Sequence, residues 1–279
     1  MNQRIISVQA IQNFEHYLLS DEKSTATVEK YLRDVRAFSQ YTGNLPVTKE
    51  IAVAYKMHLT ERCYAASSIN SMLAAINHFL SFQGWEDCKV KCVRTQRKVY
   101  CSEDKVLTKE EYLRLLSASK NKKQLNLILQ TICSTGLRIS EIQYFTVEAV
   151  SKGEINVTCK NKTRTILVPR KLRKLLLSFA KQKNIRSGSI FVTRTGMPLD
   201  RSNIWKQMKN LCEQAQVNPR KVFPHNLRKL FARTFYTVEK DIAKLADILG
   251  HGSIETTRIY IMTTGVEHRR QMERLGLLV

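Results

Sequence analysis

Apolar residues recur every three or four positions through the first ninety residues of the chain. That period places them on one face of a helix, and serine, threonine and glycine residues lie where such helices would begin and end. The predicted helices run from Ser7 to Leu19, from Ser24 or Thr25 to Gly43, from Thr48 to Glu61, and from Ser67 or Ser68 to Gly84. Each apolar face needs a partner to cover it, so we predict a helical domain over residues 1–90.

The helical period stops between residues 91 and 106, where basic residues crowd the sequence. A basic stretch without a period is typical of a linker that can lie against a polyanion. We therefore expect an interdomain linker over residues 91–106. Its candidate phosphate contacts are Lys91, Arg94, Arg97 and Lys98.

A second domain is expected over residues 107–279, because Thr108 and Glu111 have the spacing of a capping box. Its pattern predicts short strands among helices, with a turn at residues 160–162 that joins two strands as a hairpin. The predicted strands are 154–158, 164–168 and 189–193. The predicted helices are 109–119, 122–134, 139–145, 170–183, 202–215, 226–237, 240–249 and 254–263. The chain is thus predicted to be mainly α, with a helical N-terminal domain and an α+β domain that contains a small antiparallel sheet.

The charge of the chain narrows the choice of partner. Lys and Arg number 46 against 24 Asp and Glu, which gives a net charge of +22. A surplus of this size favours a polyanion such as DNA, and a protein that is merely basic and soluble is the alternative. In the N-terminal domain a solvated polar face is an equal alternative for each candidate DNA contact. These candidates are Lys30, Arg33, Arg36 and Lys56.

Several classes of protein are not expected from this sequence. It has no signal-peptide core and no apolar run of about 18 residues, so we expect a cytoplasmic protein without a membrane partner. The seven cysteines are odd in number and scattered, without the spacing of zinc ligands. We therefore expect reduced thiols and no structural metal.

Two arginines and a histidine lie where helices are predicted to begin. Gly136 suits a left-handed helix end, which brings Arg138 to a loop beside a helix start, where donors converge on an anion. His225 and Arg228 are three residues apart and share one face of a helix that Pro224 can begin. Each motif alone has a simpler interpretation, as a surface arginine at a helix junction or as a core histidine beside a surface arginine.

A second histidine and a tyrosine complete the candidate site. His251 follows Gly250 at a helix end, and Tyr260 lies nine residues further on, between Ile259 and Ile261. A tyrosine in that setting is more usually a packing residue. Two arginines, two histidines and a tyrosine together suit a phosphodiester, since an arginine fork grips two oxygens and a tyrosine hydroxyl can attack phosphorus.

In order and spacing these segments resemble those of the tyrosine recombinases, the family of phage integrases and Xer-type recombinases. The resemblance covers the whole chain and implies a SAM-like core-binding domain, a basic linker and a catalytic domain in the tyrosine-recombinase fold. Arg138, Arg228 and His251 would bind the non-bridging oxygens of the scissile phosphate. His225 would assist as acid or base, and Tyr260 would be the nucleophile. The implied reaction cleaves and rejoins DNA through a 3′-phosphotyrosyl bond and a Holliday junction, with no cofactor and no metal.

Two residues of the hairpin turn are candidates for the lysine of the family. In the family a lysine in the hairpin turn protonates the leaving 5′-oxygen, whereas an ungapped alignment of this turn puts Cys159 in its place. One deleted residue would put Lys160 there, which we prefer because the chemistry needs a proton donor. Lys162 is the second choice, and a phosphate contact is the alternative for either lysine. Arg164, just after the turn, is a further candidate DNA contact.

The resemblance also implies an assembly. The partner would be double-stranded DNA with paired recombination sites, bound by a homotetramer in which the C-terminal tail packs on a neighbouring protomer. Packing of the tail on its own protomer is the alternative. The sequence leaves open whether a second recombinase or an accessory DNA-bending protein takes part. A short N-terminus favours a two-domain, Xer-like or mobile-element recombinase. The competing functions are a type IB topoisomerase and a DNA-binding relative without cleavage.

Overall fold

A computed structural model of the chain describes residues 4–94, 100–159 and 162–275, without the side chains of Cys159 and Lys162. Arg97, Lys98 and Lys160 therefore lie outside the described residues. The chain divides into two compact units, Met1–Arg97 and Lys98–Val279. We call them the N-terminal unit and the C-terminal unit. The division falls within the predicted linker, and the exact domain limits stay a prediction.

The N-terminal unit is built from helices that enclose one apolar core. The helices are α1 (Val8–Ser20), α2 (Thr25–Thr42), α3 (Lys49–Glu61) and α4 (Ala66–Phe82). Phe14, Phe38 and Phe79 are completely buried between them. The expected cap of the fourth helix at Ser67 or Ser68 is wrong, because α4 begins after Ala65 and both serines lie inside its first turn.

Two asparagines of α4 hold the segment that follows the helix. Asn77 donates to the carbonyl of Val90 at 2.8 Å and accepts from its amide at 2.9 Å. Asn70 forms the same pair of bonds with Val93, at 3.0 and 2.7 Å. Each amide side chain thus replaces one backbone strand partner. The first residues of the predicted linker are therefore bound to the N-terminal unit rather than extended away from it.

The C-terminal unit surrounds a second core with helices and one hairpin. Its helices are α5 (Lys109–Ala118), α6 (Lys123–Thr135), α7 (Val147–Lys152), α8 (Arg170–Gln182), α9 (Arg201–Lys209), α10 (Pro224–Glu239), α11 (Ile242–Leu249), α12 (Ile254–Ile261) and α13 (Gly265–Glu273). The antiparallel strands β1 (Glu154–Cys159) and β2 (Lys162–Leu167) pair from Glu154 with Leu167 to Cys159 with Lys162. The capping box of Thr108 and Glu111 is formed at the start of α5.

Several predicted elements of this unit need correction. Residues 189–193 do not form a strand, and the described residues show only isolated bridges there, Thr146 with Ser189 and Val192 with Pro198. Residues 139–144 form a 3₁₀ helix, and α9 ends at Lys209 rather than near residue 215. The short helices α7 and α13 were not predicted. A mainly helical chain with a small antiparallel sheet is nevertheless confirmed.

The structure also bears on membranes and metals. Within the described residues no helix is both long and apolar enough to cross a bilayer. Across the same residues no group of histidine, cysteine, aspartate and glutamate side chains is arranged to hold a metal ion.

Candidate active site

Arg138 is brought to the site by the left-handed end of α6. Gly136 has φ +62°, and a Cβ at that position would lie 2.4 Å from the ring of Phe231, so the close approach of α10 requires glycine. Arg138 then begins the 3₁₀ turn. Its Nη1 donates to Glu141 Oε1 at 3.1 Å, and its Nη2 donates to the carbonyl of Gly250 at 3.1 Å. More than a third of the side chain stays exposed.

Arg228 lies in the interior, one turn into α10. Pro224 occupies the first position of this helix, where its missing amide costs nothing. The guanidinium of Arg228 donates from Nη1 to Gly136 O and from Nη2 to Leu249 O, both at 2.7 Å. The residue is 1% exposed, and its Nε has no hydrogen-bond partner among the described residues. A buried donor of this kind is costly unless an acceptor joins it.

His251 follows the left-handed end of α11. Gly250 has φ +62° and ends the helix, after which Ser253 caps α12. Nε2 of His251 lies 3.0 Å from Nη2 of Arg228, and its Nδ1 lies 2.8 Å from Oγ1 of Thr257. The imidazole is therefore held on both sides, by an arginine and by a buried threonine.

Tyr260 lies near the end of α12 and faces both histidines. Its Oη is 3.4 Å from Nδ1 of His225. The ring centroids are 5.0 Å apart for Tyr260 and His225, and 4.8 Å apart for Tyr260 and His251. The guanidinium carbon of Arg228 is 5.8 Å from the centroid of the tyrosine ring. Tyr260 is 9% exposed, so it packs into the small core beside α10 and α11 while its hydroxyl stays in the site.

The end of α11 holds three arginines through three consecutive carbonyls. Ile248 O accepts from Arg164 Nη1 at 2.5 Å. Leu249 O accepts from Arg228, and Gly250 O accepts from Arg138. The last carbonyls of a helix lack partners inside the helix and carry its partial negative charge. They therefore stabilise a cluster of like charges that would otherwise repel.

The only carboxylate that the described residues place in this cluster is Glu141. Its side chain is 3% exposed and accepts from the backbone amide of Arg138 at 2.6 Å and from Arg164 Nη2 at 2.5 Å. Burial would raise the pKa of Glu141, but its bonds to Arg164 and Arg138 outweigh burial and hold the pKa below its usual value. Glu141 was missed in the sequence, although its position three residues after Arg138 was the available signal.

Burial and the arginines keep both histidines neutral. Burial, followed by the charges of Arg228 and Arg138, lowers the pKa of His251 to about 4. Burial and the neighbouring charges of Lys229 and Arg228 also lower the pKa of His225. Burial, followed by the charge of Arg138, lowers the pKa of Arg228 to about 10. Near neutral pH the site therefore combines charged arginines with uncharged imidazoles.

The structure brings five of the six candidate catalytic residues together: Arg138, His225, Arg228, His251 and Tyr260. Lys160 lies outside the described residues, and the side chain of Lys162 is not described. Arg164 differs from the exposed candidate DNA contacts. Its side chain is 12% exposed and bonds inside the site, and its contact with a DNA backbone stays a prediction.

The candidate DNA contacts of the N-terminal unit differ in their exposure. Arg33, at 71% exposure, and Lys30 both pair with the buried carboxylate of Asp34. Lys56 is half-buried and donates to Lys91 O at 2.9 Å. The remaining described candidates, Arg36, Lys91 and Arg94, are exposed.

Comparison with known proteins agrees with this geometry. The model of the phage integrase family matches residues 105–265, more than half of the chain. The chain belongs to the phage integrase family. The model of the phage integrase N-terminal SAM-like domain matches residues 11–87 of the same chain, so the predicted SAM-like N-terminal domain is confirmed.

Individual relatives extend the similarity over the whole length. The chain is 28% identical to tyrosine recombinase XerA of Thermococcus kodakarensis over 279 residues, which cover 97% of this chain and 96% of the relative. It is 27% identical to tyrosine recombinase XerD of Halalkalibacterium halodurans, covering 93% and 94%. The predicted function of a tyrosine-type site-specific recombinase is confirmed.

A solved structure supports the same fold. The chain matches a lambda integrase dimer bound to a COC′ core site with a TM-score of 0.74 and 16% identity, over 92% of this chain and 95% of that one. At this identity the match establishes the fold, and the roles of individual residues depend on the geometry described above.

Proposed function

We propose that Tyr260 is the nucleophile that cleaves DNA and that His225 takes its proton. The contact that carries this proposal joins Tyr260 Oη to His225 Nδ1 at 3.4 Å. Because burial and nearby cations keep His225 neutral, its Nδ1 can accept a proton as the phenol oxygen attacks phosphorus. In our proposal the proton of Tyr260 passes directly to His225, without a third residue.

Arg138 and Arg228 would bind the scissile phosphate. Arg138 is partly exposed, so it can turn donors towards a substrate. Arg228 is buried and carries an Nε donor without a partner among the described residues, and a phosphate oxygen is the acceptor that suits it. Positive groups fixed around phosphorus stabilise the extra charge of the pentavalent transition state.

His251 would join the arginines at the phosphate. A phosphodiester brings a negative charge that offsets the charges of Arg228 and Arg138, so its binding raises the pKa of His251. A protonated His251 can then donate to a non-bridging oxygen. In the free protein the same ring accepts from Arg228.

The proposed step conserves the energy of the phosphodiester. A bond forms between Tyr260 Oη and phosphorus while the bond from phosphorus to the 5′-oxygen breaks, and a proton passes to the leaving oxygen. We assign that last proton to Lys160. Attack by a 5′-hydroxyl on the 3′-phosphotyrosyl bond then restores the DNA and releases the tyrosine, and exchange between two sites passes through a Holliday junction.

We extend the proposal to the surroundings of the site. The net charge of +22 and the exposed cations Arg33 and Arg36 of α2 support duplex DNA as the partner. Two paired sites would be bound by four copies of the chain. With DNA as its substrate, the protein would act in the cytoplasm.

Covalent trapping tests the proposal. Nicked duplexes from the DNA flanking the gene lose a short fragment after cleavage, so the protein stays attached and shifts on a denaturing gel. We expect a shifted band that Tyr260→Phe abolishes and Tyr144→Phe, a matched change at an exposed tyrosine, retains. Tight DNA binding without a band would favour a binding-only relative. Equal trapping by unrelated nicked DNA would favour the topoisomerase alternative.

A further inference from the structure

Arg164 joins two parts of the site that are far apart in sequence. Its Nη2 donates to Glu141 Oε2 at 2.5 Å and its Nε to Oε1 at 3.4 Å. On its other side Nη1 donates to Ile248 O at 2.5 Å. The guanidinium therefore ties the 3₁₀ turn that carries Arg138 to the helix end that carries His251. Its own position is fixed by β2, where it pairs opposite Val157.

The side chain fills space that only a glycine leaves open. A Cβ on Gly250 would lie 2.4 Å from Cδ of Arg164 and 3.1 Å from its Nε. Gly250 is also the residue whose carbonyl accepts from Arg138. Arg164 thus packs against the backbone that precedes His251, in addition to bonding the helix end beside it.

Glu141 explains why a second arginine is needed. Without Arg164, the buried carboxylate would have Arg138 as its remaining charged partner among the hydrogen bonds of the described residues. A full ion pair there would compete for the donors of Arg138 and misalign its fork at a phosphate, although the cation would stay beside that phosphate, because both anions need the same donors. With Arg164 in place, the carboxylate is shared and can orient Arg138 without neutralising it.

We propose that Arg164 is a positioning residue of the strand-transfer site, which acts through Glu141 and the end of α11 and does not itself contact the phosphate. This inference rests on the roles proposed for Arg138 and His251. The hairpin would then have a second function. Its turn contains the candidate lysine in the sequence, and its strand β2 holds the arginine cluster in place through Arg164.

The test separates positioning from phosphate contact. Single-turnover formation of the covalent band is measured with nicked DNA, and DNA affinity is measured over a series of salt concentrations. For Arg164→Met we expect the rate to fall by about 100-fold, the size of effect that a misplacement of about 1 Å produces. The salt dependence of DNA affinity should stay that of the wild type, whereas the loss of a phosphate contact would lower its slope by about 1.

Two further variants keep the inference falsifiable. Arg164→Lys retains the charge but cannot hold Glu141 and Ile248 together, so we expect a rate between those of the wild type and Arg164→Met. The pair Lys221–Glu111 has side chains exposed by 16% and 14%, against 12% and 3% for Arg164 and Glu141. Lys221→Met is therefore the control for the loss of a half-buried ion pair, and its cleavage rate should stay within about twofold because residues without shared partners act independently.

The double variant decides whether Arg164 acts through Glu141. If it does, Glu141→Gln with Arg164→Met loses no more rate than the worse single variant, because interacting residues are not additive. Fully additive losses, a lower salt slope, or an unchanged rate in Arg164→Met would each overturn the inference. A wild-type protein that never forms the covalent band would refute the proposed function instead, and the salt slopes would still show whether Arg164 contacts phosphate.

Discussion

Nη2 of Arg228 lies 3.0 Å from Nε2 of His251, and this contact determines which ring nitrogen carries the proton. A guanidinium has donors only, so Nε2 of the neutral ring must accept. Nδ1 then carries the proton and donates to Oγ1 of Thr257 at 2.8 Å. Thr257 is completely buried, so the tautomer of His251 is set by two neighbours that solvent does not reach easily.

Replacement of Thr257 by valine should slow cleavage. Valine has nearly the same shape but removes the acceptor for Nδ1–H, and an unsatisfied buried donor costs about 1–3 kcal/mol. That cost corresponds to a loss of about fivefold to 160-fold in the rate if the reaction needs the ring in its original orientation. The rate of covalent-band formation measures it.

Thr257→Ser is the control for this prediction. Serine retains the hydroxyl and loses one methyl group, so we expect its cleavage rate to lie much closer to the wild type. If the serine variant were as slow as the valine variant, packing of α12 rather than the hydrogen bond to His251 would explain the loss.

Acid should destabilise the free protein through the two histidines of the site, His225 and His251. Both pKa values are lowered from the ordinary 6.5, that of His251 to about 4. As the pH falls, the unfolded chain therefore takes up these protons before the folded chain does. Their contribution to stability is complete above the unfolded value of about 6.5 and is lost as the pH falls towards about 4.

Urea unfolding between pH 4 and 7.5 measures this effect. We expect the free energy of unfolding to decrease with falling pH, and His251→Gln to make the decrease shallower because glutamine does not titrate. Bound DNA should also reduce the dependence, since the phosphate favours the protonated ring of His251. Identical slopes for the wild type and His251→Gln would show that this histidine is not held neutral by the fold.

Residues with a strong local signal could be predicted from the sequence. Gly136 and Gly250 both adopt φ of +62° at helix ends, and the place of Arg138 and His251 beside those ends was predicted because a glycine marks such an end. Their roles came from the resemblance to the family. Pro224 likewise marked the start of α10. The apolar period of the N-terminal helices predicted their core, since a helix with one apolar face has few ways to bury it.

Residues whose role comes from distant contacts could not be predicted. Arg164 looked like an exposed cation beside a turn. It lies two residues before the buried Ile166 on β2, however, and residues two apart share one face of a strand. Glu141 had a local signal in its spacing from Arg138, but its bonds to Arg164 on β2 come from the fold. The apolar run at residues 189–193 resembled a strand, but its described neighbours offer single bridges instead of a continuous partner.

Asn70→Ala should release the start of the interdomain segment. The asparagine makes two hydrogen bonds to Val93, and their loss leaves half-buried backbone groups without partners, at a cost of about 1–3 kcal/mol. We expect faster cutting by trypsin after Lys91 and Arg94, because proteases need a locally unfolded backbone. Mass spectrometry of timed digests identifies the sites.

Asn13→Ala is the matched control for that experiment. Asn13 is an exposed asparagine of α1 that accepts from the side chain of Gln9, so its loss should leave cutting after Lys91 and Arg94 unchanged. Equal cutting of the wild type and Asn70→Ala would mean that these bonds do not hold the segment.

Gly250→Ala should impair the site more than its conformation alone explains. A left-handed backbone costs a non-glycine residue about 1–2 kcal/mol, and Gly196, with φ +81° and no atom within 4 Å of its Cβ position, isolates that cost. At Gly250 the added methyl would lie 2.4 Å from Arg164. Arg164 must then move, and its bonds to Ile248 and Glu141 must lengthen or break.

We therefore expect Gly196→Ala to lose about 1 kcal/mol of stability, at the lower end of that conformational cost, and to retain its cleavage rate. Gly250→Ala should lose more stability and most of its covalent-band formation. Displacement of Arg164 would break its bonds to the 3₁₀ turn of Arg138 and to the end of α11 that precedes His251. Urea midpoints and single-turnover rates of the two variants are compared. Equal stability losses with normal cleavage in both would mean that the contact between Gly250 and Arg164 does not position the site.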